Sequence, residues 1–391
     1  MTDLRGYLVT TAKNEAPYFL EWVAHHLEVG FTDIVVFQND SDDLTHEILA
    51  TLRKIGAIQY LYNRAGKGRH QVRAYERSGK IAEYKQCDWA MALDMDEFLV
   101  VKTGDGTLTD LMKVLPESDC IHLNWRMFGN SGYETMTDEL VTERFTMAGY
   151  QLGRPDHFTA YKCLFRPSLF QRAGIHRPYA PVPPENIRYT NGSGLAPDEY
   201  LLKNYNSTDP GGCKYAQINH YIVRDLASFM LKSARGSAHQ ADRPIAHRYW
   251  KMRNTNFEID TSMTPWLARV KARMEALNEA SNGRLMELRE KAIYTHMARY
   301  YTILQEPEGR EFRKFCKDNP NGLDHRKLKA EKKLKAEQAK AEKTAAKQTE
   351  KAKVPARVVK VAPRKASTSL RKSPAKPATK TKAKTAAKAA T

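Results

Sequence analysis

Trp89-Ala90-Met91-Ala92-Leu93-Asp94-Met95-Asp96-Glu97-Phe98 is the stretch on which the reading of this chain turns. Five apolar residues followed at once by acids read as a strand buried on both faces that runs out into a polar loop. Side chains two apart on a strand share a face, so Asp94 and Asp96 are expected to converge on one cation where the strand ends. A carboxylate pair suits a hard divalent ion of the kind that also holds a substrate's phosphates. Asp-x-Asp alone is common. The strand before it and the apolar Phe98-Leu99-Val100-Val101 after it set this one apart.

Upstream the strand signal recurs with helices between. Gly6-Tyr7-Leu8-Val9-Thr10-Thr11 is a first strand. Pro17 then opens a helix in which Phe19, Trp22, Val23, His26 and Leu27 follow helical spacing, and Gly30 stops it. Ile34-Val35-Val36-Phe37 is a second strand; Leu44, Ile48, Leu52 and Ile55 mark a second helix, closed by Gly56. Ile58-Gln59-Tyr60-Leu61-Tyr62 is a third strand, and the pattern predicts a third helix over 72–84. Strands alternating with helices through short connections imply a mostly parallel α/β sheet, whose ligands bind beyond the carboxyl ends of the strands. Those ends carry Lys13-Asn14-Glu15, Asn39-Asp40, 63–68 and Asp94-Met95-Asp96, so four loops are expected to face one cleft.

Downstream, Cys120-Ile121-His122-Leu123-Asn124-Trp125 predicts another strand. The stretch from there to about residue 212, rich in Pro, Gly and aromatics, predicts hairpins and a mixed sheet. Helical spacing returns from about 226 to 315. The charge is uneven: residues 326–391 hold 22 of the 63 basic residues and 4 of the 45 acidic ones, which accounts for the whole formal +18. That segment has no Phe, Trp or Tyr, so it cannot bury enough apolar surface to offset its ordering entropy. It reads as a disordered basic tail with transient helix over 326–353. The five cysteines form no Cys-x-x-Cys pair and are odd in number, which favours inert buried thiols in a reducing compartment. No leader peptide is legible at the start. No apolar stretch approaches the roughly 18–20 residues that span a bilayer. The expected location is cytoplasmic, or peripheral to the inner face of a membrane.

Several blocks together resemble GT-A-fold glycosyltransferases, in particular bacterial family 2-like proteins and the related family 92. They are Val9-Thr10-Thr11-Ala12-Lys13-Asn14-Glu15 with Leu20-Glu21-Trp22; Leu93-Asp94-Met95-Asp96-Glu97-Phe98; Trp125-Arg126-Met127-Phe128-Gly129-Asn130-Ser131-Gly132; Tyr161-Lys162-Cys163-Leu164-Phe165-Arg166-Pro167; and Gln217-Ile218-Asn219-His220-Tyr221. Ile175-His176-Arg177-Pro178, Asn191-Gly192-Ser193-Gly194, Lys232 and Arg235-Gly236 also match. The likeness covers about 5–255. It implies a GT-A-type Rossmann-like domain (1–255) with a mostly parallel sheet and a mixed-sheet acceptor half; the helical extension (256–325) and the disordered basic tail (326–391) are read from the residues and lie beyond it.

It also implies Mn2+ or Mg2+ on Asp94 and Asp96, bridging the diphosphate of a nucleotide-sugar donor, a UDP-sugar by preference. His220 is then the favoured third ligand, with His176 and His239 as alternatives. Thr11, Asn14, Glu15 and Asp40 fall where base or ribose contacts are expected. Lys67, Arg69, Gln71 and Arg73 fall where cations and amides reach a diphosphate, and Glu97 where it orients the loop. An inverting transferase needs a carboxylate to take the acceptor's proton. Asp198 and Glu199 are the candidates, with Glu134 and Asp156 open beside them. The acceptor is a hydroxyl of a glycan or lipid-linked sugar. A different class, a non-catalytic protein binding nucleic acid or an anionic membrane through the tail, rests on the Lys-rich run alone. Nucleotidyl transfer is disfavoured, because no glycine-rich, Arg- and Lys-bearing loop follows Val9.

Overall fold

The computed structural model describes residues 4–64, 69–150, 160–181, 186–201, 213–235 and 247–352. Strands β1 (Gly6–Ala12), β2 (Phe31–Gln38), β3 (Gln59–Tyr62) and β4 (Trp89–Ala92) are mutually parallel, in the order β3-β2-β1-β4. Helices α1 (Phe19–Val29), α2 (Thr45–Lys54) and α3 (His70–Ser78) lie in the crossovers. Gly30 ends α1 at φ 107°, its N–H returning to the carbonyls of His26 and Leu27. A side chain is strained at that angle, which is why glycine stands there.

Beyond β4 the sheet turns mixed. The strand Tyr161–Phe165 runs antiparallel between β4 and β6 (Cys120–Met127). Ala216–His220 then pairs parallel with β6 and antiparallel with β5 (Glu97–Val101). Here β5 is the end of the path, and α1 covers it: Trp22 Nε1 donates to Glu97 O at 3.0 Å and His25 Nε2 meets Leu99 O at 2.7 Å. Phe19, Trp22 and Val23 are fully buried in that contact, each contributing about 1.5–3 kcal/mol. The parallel half, the mixed half and the helical C-terminal part agree with the architecture the resemblance implied.

Two local expectations change. The helix read over 72–84 is α3 and a separate helix Ala82–Gln86. The break falls at Gly79, where a Cβ would stand 2.8 Å from Arg172 Cβ and 2.9 Å from Gln171 O. Close approach of the hairpin carrying Arg172 requires a bare backbone there, which spacing alone does not reveal. Likewise β4 ends at Ala92, and Asp94 to Asp96 form a turn closed by Glu97 N donating to Asp94 O at 3.0 Å. The alternation of an extended strand therefore does not govern where those acids point.

The helices Leu267–Ala280 and Arg284–Ile303 pack on α1 and α2, so residues through Glu331 form one compact unit. A helix over His325–Ala352 continues into the basic region with exposed side chains from 326 to 346. The rest of the tail lies outside the described residues. Among the described residues no helix is long and apolar enough to cross a membrane.

Candidate active site

The turn after β4 points its two aspartates to different partners. Asp94, one-third exposed, accepts from Gln71 Nε2 at 2.9 Å and pairs with Lys162 Nζ at 3.3 Å. Asp96, nearly buried, pairs with Lys232 Nζ at 2.6 Å and faces His220 Nε2 at 3.4 Å. Strand pairing explains His220, because the β5 register places it directly opposite Glu97, while Lys232 comes from the helix Leu226–Arg235. Fully buried Glu97 holds the turn from inside: its Oε2 accepts from Asp94 N at 2.9 Å and from Lys162 Nζ at 3.0 Å. Burial disfavours the Lys162 charge, yet Asp94 and Glu97 outweigh it and keep the ammonium above the usual lysine value.

Burial likewise opposes ionisation of Asp96. Lys232, His220 and Arg224 override it and hold this carboxyl well below the usual range. His220 moves the other way, its basicity lowered by burial in spite of Asp96. Arg224 braces the turn from behind. Its guanidinium donates to Met95 O and pairs with Glu15, both at 2.8 Å, and lies 3.4 Å from the Tyr18 ring centroid. Beside this framework opens a cleft of about 210 Å³ lined in part by Asn14, Glu15, Arg224, Lys232, His296 and Arg299. Lys232 and Arg224 join the cleft wall to the turn, which is not itself in the lining.

The profile of Glycosyltransferase family 92 matches residues 10–252, which contain the turn and every group paired with it, but not His296 and Arg299 of the cleft wall. The chain belongs to glycosyltransferase family 92. A family 92 protein of rice (Oryza sativa subsp. japonica) is 26% identical over 197 residues, 48% of this chain and 31% of the relative. The match thus spans about a third of that relative's length. Among solved structures, S. aureus TarS 1–349 in complex with UDP shows 13% identity over 77% of this chain and 92% of that one, with a TM-score of 0.29. HddC from Yersinia pseudotuberculosis shows 8% identity over 48% of this chain and 90% of its own, with a TM-score of 0.28. These scores are too low to add to the family assignment.

In the family 92 chain Asp96 and His220 are the donors that could hold a divalent cation, with Lys232 now paired to Asp96 Oδ2. The buried Nδ1 of His220 and Oε1 of Glu97 have no hydrogen-bond partner and face each other at 3.8 Å. A carboxylate behind an imidazole is the arrangement that orients a ligating histidine, and it leaves Nε2 toward Asp96. Among the described residues Asp94 is not gathered with them within ligand distance, because Gln71 and Lys162 hold it on the other side of the turn.

The other expected contacts are dispersed. Asn14 sits at φ 56° and exchanges hydrogen bonds with Asp42, while its N–H reaches Ser41 Oγ. Buried Glu15 lines the cleft. Half-buried Thr11 lies near the end of β1. Asp40, at φ 40° after β2, accepts from Tyr62 OH. Arg69 stands at the start of α3 and Arg73 is exposed along it; neither touches Asp94 or Asp96. Asp198 and Glu199 are exposed on the short helix Pro197–Tyr200, where Glu199 accepts from Ala196 N, and no described contact links them to the turn. Glu134 is taken by Arg313, Lys317 and Tyr300. His176 binds Tyr161 O at 3.1 Å, and burial takes it down to about 4. Lys67, Asp156 and His239 lie outside the described residues.

The sequence reading gave no role to Lys162 or Lys232 and did not single out Arg224. Lys162 left one signal: a lysine at the second position of the otherwise apolar Tyr161-Lys162-Cys163-Leu164-Phe165 must find a buried acid.

Proposed function

We propose that this chain transfers a sugar from a nucleotide-sugar donor to a hydroxyl of a glycan or lipid-linked acceptor. The convergence of Asp96, His220 and Lys232 at the end of β4, inside a family 92 match, carries the reading. A UDP-sugar is the first donor to test. Mn2+ or Mg2+ held by Asp96 and His220 would offset charge building on the leaving nucleoside diphosphate. The chain's own groups complement it. Arg224, Lys232 and Arg299 bring cations to the cleft wall, and Glu97 keeps the His220 ring oriented.

The test is thermal stabilisation by UDP, GDP, CDP or ADP, with and without Mn2+, in wild type and Asp96→Asn. Ligand at 100 times Kd adds about 2.7 kcal/mol. One nucleotide should stabilise wild type only with metal and leave the variant unshifted. An equal shift in both proteins removes the proposal.

The run of lysines along the helix from His325 supports a second role, attachment to polyanions such as anionic lipid or nucleic acid. Each basic residue near an anionic membrane surface contributes about 1 kcal/mol. Deleting 326–391 should abolish binding to anionic vesicles or DNA at low salt and spare transfer to a soluble acceptor. Vesicle and DNA binding that persists after the deletion refutes the role.

A further inference from the structure

On the sheet, away from the Asp94–Asp96 turn, Cys120, His122 and Cys163 form a compact cluster. Cys120 and His122 are two apart on β6 and so share a face, and the antiparallel register sets Cys163 directly opposite His122. One ligand atom from each lies within 4.8 Å of the other two, and all three residues are buried. Two thiols alone would pass for small apolar side chains. The histidine says otherwise. Its Nδ1 is 2.7 Å from Tyr200 OH, whereas its Nε2, in a residue only 3% exposed, has no partner in hydrogen-bond geometry and lies beside the Cys163 thiol. Where Nδ1 donates to the tyrosine oxygen, Nε2 keeps a bare lone pair, the tautomer and outer contact that metal-ligating histidines use. The Tyr161 ring, stacked on the imidazole at 4.2 Å, fixes its plane.

We propose that Cys120 Sγ, His122 Nε2 and Cys163 Sγ bind one thiophilic divalent cation, Zn2+ by preference, which staples β6 to the strand Tyr161–Phe165. Zn–S and Zn–N bonds of about 2.3 and 2.0–2.1 Å place two sulfurs and a nitrogen in tetrahedral positions roughly 3.5–3.8 Å apart. The cluster needs an inward adjustment of about 1 Å, within reach of side-chain rotation. Two thiolates and Zn2+ sum to zero charge, which an apolar interior tolerates where separate ions would be costly. Sulfur ligands also separate this site from the carboxylate site at Asp96, whose donors suit Mn2+ or Mg2+.

The test is metal analysis of the full chain purified under reductant, followed by Co2+ titration of the stripped protein. A thiolate-to-cobalt charge-transfer band should saturate at one equivalent, persist in Asp96→Asn and vanish in Cys120→Ser/Cys163→Ser. Tyr200→Phe keeps every ligand and should weaken binding about 10–100-fold. It therefore remains informative if the double variant fails to fold. The proposal is overturned by no band in reduced wild type, a band surviving in the folded double variant, a band lost in Asp96→Asn, or unchanged affinity in Tyr200→Phe. A Cys120–Cys163 disulfide in protein purified without reductant, with no cobalt binding after its reduction, overturns it equally.

Discussion

Replacing Lys162 with methionine removes the one cation in contact with both Asp94 and Glu97, among the described residues, while keeping the side chain's length and apolar stem. Lys162 is 1% exposed and Glu97 0%, so water cannot take the ammonium's place. Glu97 Oε2 keeps only the Asp94 N–H. Removing one member of a buried pair typically costs 3–5 kcal/mol. Here burial, with Asp94 and Asp96 beside it, pushes Glu97 up to about 8 in spite of Lys162. Near pH 6 the carboxyl is therefore already protonated in wild type, and losing the ammonium adds little through Glu97. Above pH 8 it is ionised, and proton uptake in the variant then caps the added loss at about 1.4 kcal/mol at pH 9. Urea denaturation of wild type, Lys162→Met, Glu97→Gln and the double variant at about pH 6 and pH 9 gives the coupling directly. The expected result is a loss about 1.4 kcal/mol larger at pH 9 than at pH 6, with the increment absent in the Glu97→Gln background. An increment below about 0.5 kcal/mol, or one that persists with Glu97→Gln, refutes the buried-pair account.

Burial takes His25 down to about 4, and its Nε2 meets Leu99 O. Below about pH 6.5 the unfolded imidazole binds a proton that the folded one does not, so this histidine's contribution is present at neutral pH and is lost as pH falls toward 4. His25→Gln keeps a donor and cannot titrate. The wild-type advantage over it should shrink by about 2 kcal/mol between pH 7 and pH 5, and a pH-independent difference in denaturation midpoints would contradict this. Gly106 stands at φ +84°, and a Cβ there would run into the Trp266 indole. Gly106→Ala should cost about 2–3 kcal/mol in urea denaturation; a loss under 0.5 kcal/mol would show that the helix beginning at Leu267 shifts freely.

Local pattern carried much of this protein. The apolar runs at Gly6, Ile34, Ile58, Trp89 and Cys120 became strands, and the glycine stops at 30 and 56 held, because period and chain-breaking chemistry act within a few residues. The acids at the end of β4 were legible for the same reason, and so was the neutral body ending in a basic tail. What those acids face was not local. His220 stands opposite Glu97 through a strand pairing 123 residues apart in sequence, Lys232 reaches Asp96 across 136 residues, and Lys162 reaches Asp94 across 68. The turn sends Asp94 and Asp96 to different partners, against the alternation of an extended strand. Cys120, which reads as an inert thiol in sequence, meets Cys163 only because β6 and its neighbour run antiparallel in one register. Sequence by itself determined the strands, the first two helices and the acid-rich end of β4, since short-range sterics and burial decide those. Only the tertiary structure decided which lysine, histidine or thiol completes each cluster, because long-range register and desolvation select partners that no spacing along the chain encodes.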